Sequence, residues 1–235
     1  MKAITGLDEA GRGAVVGPMV IAGVTIDKKH EKKLHALGVR DSKTLSPKRR
    51  EELAIEIENV ATNMVVVRVQ PCKIDTMRSQ GINLDKIEAM KMAEIIDMCE
   101  GKVYVDSLEQ NSKKFKQLVV SYMKNKKRDM VVENYMDESQ TIVGAASIIA
   151  KVERDKAVQE IKDKVDYDFG VGYPHDARTI EFIRMLIKKH KDNLPPFVRK
   201  SWITTQTLFE QSWQRKIKDF VLGNKQQCKE KSNEN

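Results

Sequence analysis

The spacing of hydrophobic and polar residues changes several times along the chain, and each spacing predicts a different kind of element. Short apolar runs rich in β-branched residues predict strands, at 2–7, 19–26, 64–69, 102–106 and 129–134. Apolar positions that recur every three or four residues predict helices, at 29–37, 47–61, 84–98, 112–124, 142–164, 176–190 and 204–221. Two strands followed by alternating helices and strands indicate an α/β fold with a mixed sheet and helical additions.

Turn and capping residues mark the ends of several elements. The glycine-rich segment 11–17 joins the first two strands, so these are expected to form a hairpin. Ser46 followed by Pro47 indicates a helix start, because Ser caps the free amides and Pro suits the first helical position. Two glycines and a proline exclude a regular helix from the segment 169–174.

Composition narrows the class of protein. The chain has 235 residues, 40% hydrophobic and 32% charged, which suits one domain with a real core and argues against wholesale disorder. Its longest apolar runs, such as 143–150, fall short of the roughly 18 residues that a membrane span needs. The first residues carry an acidic pair and glycines where a signal peptide would have its apolar run. We therefore expect a soluble, cytoplasmic monomer with no membrane partner.

The net charge of +8 is concentrated at the end of the chain. Residues 184–235 contain 12 Lys or Arg and 5 Asp or Glu, a net charge of +7, which leaves about +1 for residues 1–183. We expect one domain over 1–183 and a basic helical region with a polar tail over 184–235. That region is either a solvated appendage or a contact surface for a polyanion.

Cysteine and histidine contribute no pattern of their own. The three cysteines (Cys72, Cys99 and Cys228) are far apart, and the four histidines are dispersed. This spacing argues against a disulfide framework and against a zinc site. Any metal ion would have to be held by oxygen.

Three carboxylates lie at strand ends. Asp8 and Glu9 close the first predicted strand, and Asp106 closes the fourth. Turn initiation is one explanation for such residues. The other is a shared site, which requires an immediate turn because neighbouring strand residues point to opposite faces. Grouped carboxylates repel one another unless a cation intervenes, and Mg²⁺ or Mn²⁺ is the usual ion for oxygen ligands.

The glycines at 11–17 match neither common phosphate-binding motif. The spacing is G-x-G-x-x-x-G and a strand follows it, which excludes the dinucleotide fingerprint, and no G-K-[ST] follows as in a P-loop. What remains is backbone without side chains at Gly11 and Gly13, which a substrate could approach closely.

These carboxylates and glycines belong to a series of six sequence blocks that form a recognisable pattern. They read DEAGRG with GPM-V, VRDSK with SPKRRE, YVDS, AASIIAKVERD, GYP and VRKSW-T, and they span most of residues 3–205. The chain resembles type 2 ribonuclease H (ribonuclease HII), and the last block resembles the archaeal and eukaryotic-like branch. The resemblance implies a ribonuclease H-like fold, with a mixed five-stranded sheet flanked by helices and a helical C-terminal addition.

The resemblance also implies a catalytic and metal-binding set. By motif, Asp8, Glu9 and Asp106 match three of the family's four acidic residues. The fourth lies eight residues before the AAS block, at Asp137, and the choice between Asp137 and the adjacent Glu138 stays open. The implied cofactor is two Mg²⁺ or Mn²⁺ ions about 3.5–4 Å apart, bridged by Asp8 and the scissile phosphate.

Substrate contacts in the family map onto Gly11, Arg12, Gly13 and Tyr173. Tyr173 could otherwise be an ordinary packed aromatic of its loop. Lys43 is a candidate phosphate contact, or it pairs with Asp41. Arg154 has the same two interpretations, with Asp155 as its alternative partner.

The function implied is endonucleolytic hydrolysis of the RNA strand of RNA–DNA hybrids. It includes single ribonucleotides embedded in duplex DNA, leaves 5′-phosphate and 3′-hydroxyl ends, and belongs to DNA replication and repair. Two alternatives stay open: a related metal-dependent nuclease acting on another nucleic acid, and a non-catalytic nucleic-acid binder. A sliding clamp is a further candidate partner, although the tail contains no clamp-binding box that we can identify.

Overall fold

Five strands form one mixed sheet in the computed structural model, which describes residues 2–39, 45–107 and 111–213. Their spatial order is β3-β2-β1-β4-β5. The strands are β1 (Ala3–Ala10), β2 (Met19–Asp27), β3 (Asn63–Val69), β4 (Lys102–Asp106) and β5 (Met130–Glu133). The β1–β2 hairpin and β3 pair antiparallel, whereas β4 and β5 continue the sheet in parallel from β1. The predicted mixed five-stranded sheet is confirmed.

Helices follow the predicted order. After a 3-10 turn at Lys28–His30 they are α1 (Glu31–Ala36), α2 (Pro47–Val60), α3 (Pro71–Ser79), α4 (Leu84–Asp97), α5 (Ser112–Tyr122), α6 (Met136–Ser139), α7 (Thr141–Val165) and α8 (Ala177–His190), with α9 at 203–213. Helices α3 and α6 were not predicted, because α6 is a single turn and α3 buries only Pro71 and Ile74, too few positions to show a helical period. The Ser46 hydroxyl accepts from the Arg49 amide and Pro47 opens α2, as predicted.

Helix α7 covers one face of the sheet. Its first half is buried through small and apolar side chains, and it packs on β1, β2 and α2. A Cβ on Gly6 of β1 would lie 2.3 Å from the Ile142 carbonyl oxygen. This close packing brings the residues of α7 next to the end of β1.

Helices α4 and α5 cover the opposite face, with Leu7, Val103 and Val105 of the sheet in their core. The alternation along β1 therefore sends even-numbered side chains such as Ile4 toward α7 and odd-numbered ones such as Leu7 toward α4. A side chain near the end of β1 therefore faces α7 if its residue number is even and α4 if it is odd.

A third apolar cluster joins α8 and α9 to the glycine turn after β1. Val15 and Val16 pack with Phe169, Phe182 and Val198. The segment 169–174 is non-helical, as predicted, and its Gly172 carbonyl accepts from the Val15 and Val16 amides. The C-terminal elements thus lie against the turn that follows β1.

One strand is longer than predicted, and the predicted division of the chain is not tested by the fold. The strand β1 continues to Ala10, three residues beyond the predicted end, because the residues at 8–10 pair with 20–22 of β2. The division of the chain at residue 184 stays a prediction, and α8 passes through it. Within the described ranges, no helix combines the length and the apolar character required to cross a bilayer.

Candidate active site

Asp8 and Asp106 lie side by side at the ends of parallel strands. Leu7 of β1 pairs with Val105 of β4, and each aspartate is the next residue of its strand. Both side chains are buried, and the Asp106 charge acts on Asp8. As an even-numbered position, Asp8 faces α7, whose Ser147 hydroxyl hydrogen-bonds to its carboxylate. The sheet register therefore brings together two carboxylates that are 98 residues apart in sequence.

The short helix α6 carries Asp137 and begins next to Asp106. The backbone amide of Met136 donates to Asp106 Oδ1 at 2.6 Å, which ties the start of α6 to the end of β4. Asp137 is 3% exposed, whereas Glu138 is exposed to solvent. Of the two candidates that the sequence left open, Asp137 has the buried position beside Asp106.

Glu9 points to the other face of β1, toward α4. The chain stays extended through Ala10, so the immediate turn considered from the sequence does not occur at Glu9. The side chain lies close to Glu88 of α4, which is itself fully buried and ion-paired with Arg12. Arg12 also contacts Asp85 at 2.5 Å. Glu9 still interacts electrostatically with Asp8 and Asp106, because all three lie at the same edge of the sheet.

Burial and mutual repulsion leave these carboxylates poorly suited to carry charge alone. Burial and the nearby Asp106 carboxylate raise the pKa of Asp8, and the hydrogen bond from Ser147 lowers it. The net effect is a pKa of about 7. Burial, with Glu88 and Asp8 nearby, holds the pKa of Glu9 well above its ordinary value. A bound cation would reverse both effects.

The donor set fits a hard divalent cation. All four predicted ligands are carboxylates, and Glu9 Oε2 is buried without a hydrogen-bond partner among the described residues. In the described part of the chain, no three acidic, histidine or cysteine side chains are already arranged as a coordination shell. The carboxylates repel one another, and a bound cation would favour their charged forms.

The glycine turn forms one wall of a cleft next to these acids. Gly11 has a φ of +79°, and a Cβ there would lie 2.7 Å from the Pro18 carbonyl oxygen, so only glycine fits. Gly13 has open space around it and is exposed. The predicted close approach of a ligand to the backbone is sterically feasible at Gly13.

Tyr173 also lines the cleft. Its hydroxyl accepts from the Gly11 amide at 3.1 Å. Its ring stacks on His175 with a centroid distance of 5.5 Å, and the Arg154 guanidinium lies 4.5 Å from the ring centroid. The ring is held at the cleft by three contacts, while one part of it stays accessible.

Basic side chains line the rest of the cleft, which has a volume of about 710 Å³. They are Arg50, Lys151 and Arg154. Arg50 and Arg154 both contact Asp155, at 3.1 Å and 3.6 Å, so the sequence alternative of an ion pair for Arg154 holds alongside its contact with Tyr173. A cleft with an acidic end and basic walls suits a phosphodiester backbone that approaches bound cations.

Lys151, Glu88 and Arg199 were given no role from the sequence. For Lys151 a signal was available, because it follows Ser147 by four residues and precedes Arg154 by three. That helical spacing places Ser147, Lys151 and Arg154 on one face of α7. Glu88 and Arg199 gave no such signal, because their burial depends on segments distant in the chain. Lys43 lies outside the described residues, as do Arg215, Lys216 and Lys218 of the basic end.

Comparison with known proteins places the chain among close relatives. The sequence profile of the family described as Ribonuclease HII matches residues 5–205. A ribonuclease HII of Methanococcus maripaludis is 40% identical over 225 residues, which cover 94% of this chain and 92% of that protein.

Two solved structures have the same architecture. The ribonuclease H2 of Pyrococcus horikoshii superposes with a TM-score of 0.81 at 36% identity, over 89% of this chain and 98% of that one. Ribonuclease HII of Archaeoglobus fulgidus, solved in complex with PCNA, gives 0.77 at 38% identity, over 85% of this chain and 94% of that one.

Proposed function

The chain belongs to the ribonuclease HII family of ribonuclease H enzymes, and from this premise we propose that it hydrolyses the RNA strand of RNA–DNA hybrids, including single ribonucleotides embedded in duplex DNA. The observation that carries the proposal is the buried pair Asp8 and Asp106 at the ends of β1 and β4, next to Glu9, which lines a cleft with basic walls. The non-catalytic binder considered from the sequence is set aside by membership of an enzyme family.

The acidic residues would hold two Mg²⁺ or Mn²⁺ ions through Asp8, Glu9, Asp106 and Asp137. When bound, such ions supply an activated water and stabilise the leaving 3′-oxygen, giving 5′-phosphate and 3′-hydroxyl ends. The chain's own part is to orient the strand. Lys151 and Arg154 neutralise phosphates along the cleft, and the backbone at Gly13 comes close enough to the sugar to sense a 2′-hydroxyl.

A comparison of matched duplexes tests this function. Purified protein with Mg²⁺ or Mn²⁺ would be given an RNA–DNA hybrid, an all-RNA duplex and an all-DNA duplex of one sequence. We expect cleavage of the hybrid alone, and also of a DNA duplex with one ribonucleotide, on the 5′ side of that ribonucleotide. Cleavage of all-RNA or all-DNA duplexes at the hybrid's rate would favour the alternative of a nuclease for another nucleic acid.

Tyr173 is proposed to pack on the deoxyribose next to the ribonucleotide and so to recognise the RNA–DNA junction. We expect Tyr173→Ala to reduce cleavage at a single ribonucleotide by about tenfold or more, the size of one lost aromatic contact to a nucleotide. Cleavage inside a long RNA run should fall less. Tyr173→Phe is the matched control, because it keeps the ring and removes only the hydroxyl that accepts from the Gly11 amide. Equal losses on both substrates would make Tyr173 a structural residue.

The basic end is proposed to contact the substrate backbone. A cut after Leu208, which the sequence alone suggests, would divide α9, where Leu208 is buried and the ring of Phe209 lies 6.4 Å from that of Trp213. A cut after Trp213 removes six basic and three acidic residues and keeps every residue of α9 that the structure describes. We expect the slope of log binding constant against log salt concentration to become shallower by about 1–3, because each lost phosphate contact changes that slope by roughly 0.9. Identical affinity and slope in a folded truncation would show a solvated tail.

A sliding clamp is also proposed as a protein partner. The proposal is supported by the Archaeoglobus fulgidus relative, which was solved in complex with PCNA. Gel filtration of the full chain with the clamp from the same cell, alongside the protein cut after Trp213, would show whether a complex forms and whether residues 214–235 are needed for it.

A further inference from the structure

Arg199 is a fully buried cation whose side chain bonds only to backbone carbonyls within the described chain. It lies in the turn before α9, with no exposed surface. Its guanidinium donates to the carbonyl oxygens of Arg12 at 2.6 Å, Gly11 at 2.5 Å and Gly17 at 3.2 Å. No carboxylate forms an ion pair with it in the described ranges, and burial lowers its pKa to about 9, so it stays protonated at neutral pH. A buried charge kept without a counter-ion is costly, which points to a specific role.

The carbonyls that Arg199 holds belong to the glycine turn at the cleft. In a trans peptide the C=O and N–H groups point in opposite directions, and the chain has no cis peptide among its described residues. Because the Arg12 carbonyl points at Arg199, the N–H of Gly13 is directed away from the buried guanidinium. Gly13 is exposed and lines the cleft, and its N–H has no partner among the described residues.

Both backbone groups of Gly11 in the same turn already have protein contacts. The Gly11 amide is taken by the Tyr173 hydroxyl, and the Gly11 carbonyl by Arg199 and the Ala14 amide. The Gly13 N–H is thus a hydrogen-bond donor that faces the cleft, and the bond from Arg199 to the Arg12 carbonyl fixes its direction.

The turn that carries Arg199 is itself anchored. Asp75 of α3 accepts from the backbone amides of Lys200 at 2.8 Å and Ser201 at 3.0 Å, and from the Ser201 hydroxyl at 2.6 Å. The Arg199 guanidinium also lies 4.6 Å from the ring centroid of Trp202. Contacts on both sides of Arg199 therefore hold the segment that carries it.

We propose that Arg199 is a positioning residue for ribose recognition, which aims the Gly13 N–H at the 2′-hydroxyl of the scissile nucleotide by locking the carbonyls of Gly11 and Arg12. This rests on the proposed function. Lysine keeps the charge but has no planar fork, so it cannot satisfy three carbonyls in fixed directions. Misplacement of such a group by about 1 Å is expected to lower the rate about 100-fold.

The experiment uses two DNA duplexes that differ only in a ribonucleotide or a deoxynucleotide at one position. Binding to both and cleavage of the first are measured for the wild type and for Arg199→Lys, with Mn²⁺ affinity and melting temperature as separate readouts. We expect Arg199→Lys to lose most of the wild type's binding preference for ribose and to lower kcat about 100-fold. Its Mn²⁺ affinity should stay the same.

Arg128→Lys is the matched control, because Arg128 also donates to a backbone carbonyl, that of Cys99, away from the cleft. It should keep the ribose preference. If Arg199→Lys folds and keeps both the preference and kcat, the inference is overturned. A wild type that neither prefers nor cuts the ribonucleotide duplex would instead refute the proposed function.

Asp75→Ala covers the case in which Arg199→Lys does not fold. It leaves Arg199 in place and removes only the anchor of its turn. The proposal requires a smaller loss of ribose preference in the same direction. An unchanged preference in folded Asp75→Ala would then overturn it.

Discussion

Asp106→Asn is expected to lower the rate of hybrid cleavage by more than about 100-fold, beyond the loss from removing a residue that only supports a metal ligand. The substitution removes the anionic oxygen that a divalent cation needs and keeps the shape of the side chain. Asn retains an acceptor for the Met136 amide, so α6 should stay attached to β4. Hybrid binding should persist, because the basic walls of the cleft are untouched.

Single-turnover cleavage at saturating Mg²⁺ and a binding titration on the same hybrid measure the two parts of this expectation. Asp129→Asn is the matched control, since the Asp129 side chain is largely exposed and its carboxylate lies 3.7 Å from the Lys102 ammonium, away from the acidic site. Asp8→Asn should behave like Asp106→Asn. Wild-type cleavage by folded Asp106→Asn would remove Asp106 from the site.

Asp137→Asn is expected to reduce cleavage by a similarly large factor, of about 100-fold or more, while Glu138→Gln leaves it near the wild-type rate. The two residues are adjacent in α6 but differ in position. Asp137 is buried next to the residue whose amide binds Asp106, and Glu138 faces solvent. Each substitution replaces one carboxylate by an amide of nearly the same shape, so each variant is the matched control for the other.

Cleavage rates for both variants across a Mn²⁺ titration distinguish a lost ligand from a lost fold. Asp137→Asn should need more Mn²⁺ or stay inactive at any concentration, with its melting temperature close to that of the wild type. Loss of activity in Glu138→Gln alone would place the fourth ligand one residue later in the chain.

Elements with a long, regular period were predictable from the sequence. The strand at 102–106 and the helices over 84–98 and 142–164 occur within a few residues of their predicted bounds, because their apolar spacing reflects one buried face. Helices α3 and α6 could not be predicted in this way, since α6 is a single turn and α3 has only two buried residues, which do not define a period. The end of β1 depended on its pairing with β2 and not on its own composition.

The site was predictable to different degrees. Asp8, Glu9 and Asp106 stand out as carboxylates at the ends of apolar strands, where acidic residues are rare. Glu9, however, points toward Glu88 on the α4 face, and that neighbour is 79 residues away in sequence. The sequence could not show which of Asp137 and Glu138 is buried, because that depends on how α6 packs against distant segments.

The sequence by itself determined the order of the strands and of the longer helices, the oxygen-only character of any metal site and the glycine backbone at the cleft. These follow from side-chain type and from short-range periodicity, which act within a few residues. Only the tertiary structure decided that Asp8 faces α7, that Glu9 faces α4 and that Arg199 lies behind the glycine turn. The physical reason is that burial and hydrogen-bond partners arise from sheet register and from packing between distant segments, so a charged residue such as Arg199 looks like a surface cation until the fold encloses it.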